Sequence, residues 1–391
     1  MTRDFKLVAL SLFFWGLGDG LYFFFQPLYM AQLGAGAVQI GSILGIAGIA
    51  QAATHIPAGY IADRLGRRGL LIAGWALGAV ATTGMYLSRS LVPFAAGLVL
   101  YNFTAFVLAP LNSYVTESRG TQTVERALTA ISAYFSLGAI VAPLLGGLIA
   151  QRLGLRAIYG FSAALFWLST IIVFFIGPQP VHPTGAGRRY VSLLQNRRFL
   201  GFLALMVFVT FAMYVGLPLS SNFLQQERAV SLQQIGLLGS ITNLGLILIN
   251  WLSGKSHPRR GYMVAQALVG LHMLFLWRGT GLLWYGLAFL SRAGFGNAHS
   301  LGNAQVGRVV EPKELGMAFG IAETGFSAAL ILAPILAGFL YDRNAVLPLP
   351  VSLGLLLVSI LLTWRFAPRR DAHSEPELVI EPLELPHGGV G

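Results

Sequence analysis

The chain has 391 residues, of which 55% are hydrophobic and only 10% are charged, against about 25% charged residues in a typical soluble domain. A soluble protein of this length could not bury so much apolar surface. The composition therefore excludes a cytosolic enzyme, a disordered protein and a secreted scaffold, and it predicts a protein embedded in a lipid bilayer. The net charge of +11 would suit nucleic acid, but the basic residues lie in short loops between apolar stretches, so we expect no nucleic-acid partner. The chain contains no cysteine, and we expect neither a metal nor a cofactor.

Twelve apolar segments, numbered 1 to 12 in chain order, are long enough to cross a hydrocarbon core about 30 Å thick as helices. They cover residues 6–30, 38–62, 69–88, 91–114, 127–150, 157–177, 199–224, 233–253, 261–277, 281–305, 316–340 and 347–366. The sequence therefore predicts an all-α membrane protein with twelve transmembrane helices.

The longest loop divides these segments into six and six, which predicts two six-helix bundles. The predicted parts are an N-terminal bundle at 1–177, a central cytoplasmic loop at 178–198, a C-terminal bundle at 199–366 and a disordered cytoplasmic tail at 367–391. The tail is rich in acidic residues, proline and glycine, a composition that is typical of disorder.

Lysine and arginine are distributed unevenly between the two sides of the predicted bundle. Nineteen lie in the loops on the side of the N-terminus and six lie in the loops on the other side. Because positive residues are retained in the cytoplasm, we expect a multi-pass protein of the cell (inner) membrane with both termini cytoplasmic.

The two halves share residues at a constant offset. Pro143 in segment 5 and Pro334 in segment 11 are 191 residues apart, and three further identities follow at the same spacing. They are Ala127 with Ala318, Ala142 with Ala333, and Gly147 with Gly338. An internal repeat of six helices is typical of transporters that rock about a central site.

The loop between segments 2 and 3 combines glycines, an acid and arginines in a fixed order. These residues are Gly59, Asp63, Arg64, Gly66, Arg67 and Arg68. A loop that only sets topology would need the arginines but not the acid. The pattern resembles the signature loop of the major facilitator superfamily, and the two-half plan resembles that family over nearly the whole chain.

The resemblance implies that this loop is a conformational latch that stabilises the outward-facing state. The corresponding loop of the second half has Lys255 in place of the acid, so we expect one latch. In the family's fold, Glu117 at the end of segment 4 would lie beside the latch. Glu117 is expected either to pair with Arg67 or Arg126 or to be a solvated interface charge.

Segment 5 carries small residues around its proline, namely Gly138, Pro143, Gly146 and Gly147. This run resembles the glycine-proline motif in segment 5 of the family's antiporters. The alternative, which we favour, is close helix packing through small residues with a tolerated kink.

Three ionisable residues lie well within the segments: Asp19 in segment 1, Arg292 in segment 10 and Glu323 in segment 11. A charge at mid-bilayer costs at least about 2.5 kcal/mol unless it faces a wet cavity or a partner. We interpret Asp19 as the substrate-binding or proton-coupling carboxylate, Arg292 as its counter-ion or an anion-binding group, and Glu323 as a further candidate. The alternative is a structural pair between Asp19 and Arg292. For His299, hydrogen bonding to helix carbonyls is the favoured interpretation.

The resemblance favours a secondary transporter that works by alternating access, and within that class proton-coupled export of small organic compounds. Segment 4 lacks the arginine that many drug antiporters of the family carry, so uptake of a sugar or metabolite stays open. A membrane sensor or enzyme with this fold is the alternative of another class, but no hydrolase motif is present. The expected partners are a small-molecule substrate, protons and lipid, with no nucleotide and with the chain as a monomer.

Overall fold

The computed structural model describes residues 2–179, 193, 195–253, 257–310 and 315–367; at 55–65, 109, 125, 315 and 316 it describes only the backbone. These residues form helices and no strand, as an all-α membrane protein requires. The predicted tail lies outside the described residues except for Ala367, and most of the central loop lies outside them as well.

Eight of the predicted segments are single helices. They are segment 2 (Ala37–Leu65), segment 3 (Arg67–Leu87), segment 5 (Val124–Leu153), segment 6 (Leu155–Phe174), segment 8 (Leu232–Ser253), segment 9 (Pro258–Arg278), segment 11 (Leu315–Arg343) and segment 12 (Pro348–Phe366). The helices of segments 5 and 11 continue through Pro143 and Pro334.

The other four segments, 1, 4, 7 and 10, are each interrupted. Segment 1 is Arg3–Tyr22, a 3-10 turn at Phe23–Phe25 and Gln26–Gln32; segment 4 is Leu91–Phe103, a 3-10 turn at Thr104–Val107 and Leu108–Ser118; segment 7 is Arg197–Tyr214 and Ser220–Arg228; segment 10 is Leu282–Arg292 and Gly294–Val306. Pro27, Pro110 and Pro218 lie at or just after the first three interruptions, where a missing N–H weakens the helix. Segments 1, 4, 7 and 10 are the four that the family resemblance places around a central cavity.

Not every helix is apolar enough to be identified as a membrane span by length and composition. In the described part of the chain, nine helical stretches pass that test, and a tenth does if the two helices of segment 4, bent by 41°, count as one span. Segments 9 and 10 do not pass. The number twelve therefore stays a prediction, although each of the twelve segments is helical.

Segments 2 and 11 cross with almost no space between their backbones. A Cβ at Gly41 would lie 2.2 Å from the carbonyl oxygen of Pro334, and one at Gly338 would lie 2.6 Å from that of Ala37. Only glycine allows this approach, which joins the first half of the chain to the second.

Segments 5 and 8 cross in the same way. A Cβ at Gly236 would lie 2.3 Å from the Pro143 oxygen, and one at Gly147 would lie 2.7 Å from that of Leu232. Pro143 and Gly147 thus make the contacts that their counterparts at 334 and 338 make in the other half. Both crossings are nearer the end opposite the chain termini, so the two halves are closed against each other there.

A proline inside a helix leaves a carbonyl without its usual donor, and here the second half supplies one. Pro143 has no N–H for the carbonyl of Ala139, and Asn243 in segment 8 donates its Nδ2–H to that oxygen at 2.7 Å. The Leu144 N–H donates to Ser240 Oγ at 3.1 Å. These bonds connect segment 5 to segment 8 across the contact between the two halves.

We expect Gly41→Ala to destabilise the protein by about 1–3 kcal/mol, because the added methyl group cannot fit against the backbone of segment 11. Gly320→Ala, on segment 11 itself, is the matched control, since nothing lies within 4 Å of its Cβ position. Thermal unfolding of the purified protein in detergent measures both. Equal unfolding temperatures for the two variants would contradict the close crossing.

Asn243→Ala should cost about 1–3 kcal/mol, because the half-buried carbonyl of Ala139 loses its donor. Asn102→Ala is the control, since Asn102 Nδ2 donates to Leu98, four residues earlier in its own helix. The same unfolding assay applies, and a loss for Asn102→Ala as large as that for Asn243→Ala would argue against the capping role.

Candidate functional site

Asp19 is positioned by the glycines that surround it. A Cβ at Gly16 would lie 2.2 Å from the carbonyl oxygen of Phe135, and one at Gly20 would lie 2.6 Å from the Ala142 Cβ. Segment 1 therefore packs directly on segment 5 through these glycines. The Asp19 side chain contacts segment 4 instead, where Tyr101 donates its hydroxyl to Oδ1 at 2.8 Å. Tyr22, one turn further along segment 1, donates to the same oxygen at 3.2 Å.

Aromatic rings surround these three residues. The rings of Trp15 and Phe166 stack at 4.4 Å, and Tyr101 stacks on Phe166 at 5.6 Å. Tyr22 stacks on Tyr159 at 5.2 Å. An ionised carboxylate is costly in such surroundings, and the two tyrosine hydroxyls are the groups that compensate its charge.

A cavity of about 400 Å³ lies beside this cluster, in the half of the bundle nearer the termini. Its wall includes Trp15, Trp75, Tyr101 and Asn102, with further residues from segments 2 and 5. The volume and the mixture of aromatic and amide groups are typical of small-molecule sites. Tyr101 belongs both to the cavity wall and to the hydrogen bonds of Asp19.

Arg292 ends the first helix of segment 10 and lies between the two halves. Its NH1 donates to the Leu217 carbonyl at 3.3 Å, and its guanidinium carbon lies 5.4 Å from the ring centre of Phe24 and 5.7 Å from that of Phe289. The ion pairs found among the described residues are two, and neither includes Arg292 or Asp19. The structure therefore does not bring these two residues together as a pair.

Glu323 has partners on segment 10. Its Oε1 lies 2.9 Å from His299 Nε2 and accepts from Asn303 Nδ2 at 2.9 Å. His299 thus contacts a carboxylate, and the interpretation that helix carbonyls satisfy it is wrong. The contact is an ion pair when the imidazole is protonated and a hydrogen bond when it is neutral.

The latch residues divide between the described and undescribed parts of the chain. Gly59, Asp63 and Arg64 lie among residues whose side chains are not described. Gly66 has a φ of +80°, a conformation that favours glycine, and it forms the turn between segments 2 and 3. Arg67 pairs with Glu117, the first of the two predicted partners, and Arg68 NH2 donates to the Phe174 carbonyl at 3.2 Å. All these contacts lie within the first half.

The small residues of segment 5 serve helix packing. A Cβ at Gly138 would lie 2.3 Å from the Phe13 oxygen, and one at Gly146 would lie 2.2 Å from that of Leu21, so both face segment 1. Pro143 and Gly147 face segment 8. The geometry agrees with close packing, and an antiporter role for the motif stays a prediction.

Sequence reasoning identified a partner for Glu117 but not the partners of Asp19 and Glu323. A sequence signal existed for Tyr22, because it lies three residues after Asp19 and therefore on the same helix face. The signal for a donor such as Asn243 is Pro143, because a proline inside a helix leaves the carbonyl of Ala139, four residues earlier, without its usual donor. Tyr101 and Asn303 carried no comparable signal.

Comparison with known proteins agrees with this architecture. The sequence profile of the Major Facilitator Superfamily matches residues 8–249 and 202–384. The chain is 30% identical over 177 residues to the inner membrane transport protein YajR of Escherichia coli, a match covering 42% of this chain and 38% of YajR. It is 21% identical over 361 residues to the uncharacterized MFS-type transporter MJ1560 of Methanocaldococcus jannaschii, covering 88% of this chain and 92% of that protein. A match to the multidrug resistance protein MdtG of Salmonella arizonae has 27% identity and covers 53% of each chain.

Solved structures share the fold at low sequence identity. A mutant of the nucleoside transporter NupG superposes with a TM-score of 0.80 at 17% identity, covering 93% of this chain and 99% of NupG. A bacterial homologue of the lysosomal transporter Spinster, in an inward-facing and occupied conformation, gives a TM-score of 0.69 at 16% identity, covering 93% and 94% of the two chains. The chain belongs to the major facilitator superfamily of multi-pass membrane transporters.

Proposed function

We propose that this transporter exports small organic compounds in exchange for protons and works by alternating access as a monomer in the cell (inner) membrane. One observation carries the proposal: a carboxylate within the bundle, Asp19, is bound by the hydroxyl of Tyr101, which also forms part of the wall of the 400 Å³ cavity. Tyr101 thus connects a carboxylate that can take up a proton to a cavity that can hold a substrate.

The coupling follows from the cost of charge in hydrocarbon. An ionised Asp19 needs both tyrosine hydroxyls, whereas a protonated Asp19 is neutral and does not. A compound that donates a hydrogen bond to the Tyr101 oxygen from the cavity leaves the Tyr101 hydroxyl on Asp19, and this chain of hydrogen bonds favours the ionised carboxylate. Protonation of Asp19 weakens the chain and with it the site for the compound, so the compound and the proton compete, as exchange requires.

The conformation supports alternating access. The halves close on each other at the glycine crossings of Gly41 and Gly236, near the end opposite the termini. With the termini in the cytoplasm, as the arginine distribution predicts, this is an inward-facing state. Arg67 binds Glu117 in its own half in this state, which leaves the latch to engage the second half in the outward-facing state.

Export is the favoured direction because one of the relatives, MdtG, is named for multidrug resistance. Uptake of a sugar or metabolite is the second possibility. Uptake of labelled compounds into inside-out vesicles, with and without a pH gradient, separates the two. Accumulation that requires an acidic interior supports export by proton exchange. Accumulation only in right-side-out vesicles supports proton-coupled uptake, and no accumulation of any compound supports a sensor or enzyme.

Asp19→Asn should abolish accumulation against a gradient while exchange of compound across the membrane continues. Asparagine keeps the size and the hydrogen bonds of the side chain but cannot bind and release a proton. The two activities are measured in the same proteoliposomes, as pH-driven accumulation and as counterflow. Asp342→Asn, at the outer end of segment 11, is the matched control and should retain both activities.

If the Asp19→Asn variant accumulates the compound along a pH gradient as fast as the unmodified protein does, Asp19 has no part in the coupling mechanism. Glu323, bound to His299 and Asn303, would then be the next carboxylate to test.

A further inference from the structure

We propose that Arg292 and three neutral donors form a binding site for the anionic head group of the transported compound, a carboxylate or a group of similar size and charge. The inference rests on the proposed function and names the class of substrate within it: small organic anions. It comes from a second cavity, separate from the one beside Asp19.

This second cavity, the head-group pocket, measures about 40 Å³ and lies between the halves. Its polar lining consists of Arg292 with Gln26, Tyr214 and Ser221, contributed by segments 10, 1 and 7. Phe24 and Leu44 are among the apolar residues that complete the wall. This volume is about a tenth of that of the 400 Å³ cavity beside Asp19, so it admits a head group and not a whole organic molecule.

The polar lining offers donors and a positive charge but no carboxylate. Arg292 has five N–H donors, and within the described residues its hydrogen-bonded partner is the Leu217 carbonyl. None of the other three polar side chains hydrogen-bonds to another described residue, so the Gln26 amide and the Tyr214 and Ser221 hydroxyls are available to a ligand.

The electrostatics of the pocket favour an anion over water. The rings of Phe24 and Phe289 stabilise a guanidinium only weakly, and a cation without a counter-ion in a largely apolar bundle is costly. A carboxylate can accept paired hydrogen bonds from the guanidinium and further ones from the neutral donors. Such a ligand would touch both halves at once, because Gln26 and Arg292 belong to different halves.

The test compares two ligands of the same shape and different charge. Benzoate and benzamide are added to the purified full-length protein in detergent, and their affinities are obtained from the rise of the unfolding temperature with concentration. We expect benzoate to bind at least tenfold more tightly than benzamide. Arg292→Gln should remove this preference, whereas Arg292→Lys should retain part of it and keeps the test valid if the glutamine variant does not fold.

Arg228→Gln is the matched control. Arg228 also donates to a carbonyl, that of Trp277 at 3.1 Å, and also lies over a ring, that of Phe223 at 5.3 Å, but it lies outside the head-group pocket. This variant should keep the preference for benzoate. Equal affinity for the two compounds in the unmodified protein, no binding of benzoate, or a preference that survives Arg292→Gln would each overturn the proposal.

The binding assay uses no gradient, so its outcome does not depend on whether transport is coupled to protons. If the preference for benzoate depends on Arg292 while Asp19→Asn still accumulates substrate, the anion site is supported and proton coupling through Asp19 is contradicted. If Asp19→Asn loses accumulation while benzoate and benzamide bind equally well, proton coupling is supported and the anion site is contradicted.

Discussion

The hydrocarbon core of a bilayer provides no hydrogen-bonding partner, so every polar group inside it must find one within the protein. This constraint explains the contacts found between segments. The orphan carbonyl of Ala139 receives the amide of Asn243, Asp19 receives two tyrosine hydroxyls, and Glu323 receives His299 and Asn303. Arg292 has no carboxylate partner of this kind, because its described partners are one carbonyl and two aromatic rings. That imbalance is why we assign it to a ligand.

The interrupted segments place these groups at a common level of the bundle. Arg292 and Tyr214 each end the first helix of their segment, and Asp19 and Tyr101 lie within four residues of the corresponding end in segments 1 and 4. Breaks in transmembrane helices are tolerated where the backbone lines a cavity, and they aim polar groups into it. The uninterrupted segments 2, 5, 8 and 11 provide the glycine crossings that hold the halves together. One set of segments thus forms the site, and the other forms the contact about which the halves can rock.

Sequence reasoning succeeded where the signal is local. Apolar length alone predicted helices in all twelve segments. A charge inside an apolar run pointed to Asp19, Arg292 and Glu323, whose functional roles stay predictions. It failed where a partner is distant in the chain, as with Tyr101, which is 82 residues from Asp19. Segment 9 shows the same limit of sequence reasoning. Its Gln266 is buried and hydrogen-bonded to Thr363 and Ser359 of segment 12, but a measure of hydropathy alone counts this residue against a membrane span.

The central claim is that the halves exchange a contact at one end for a contact at the other. Distances between spin labels test it directly, and the chain has no native cysteine to remove. One labelled pair, Gln32→Cys with Gln226→Cys, spans the closed end; a second, Thr121→Cys with Gly307→Cys, spans the end near the termini. As the pH is changed, the account predicts that one distance lengthens while the other shortens. If neither distance changes at any pH, the claim is contradicted.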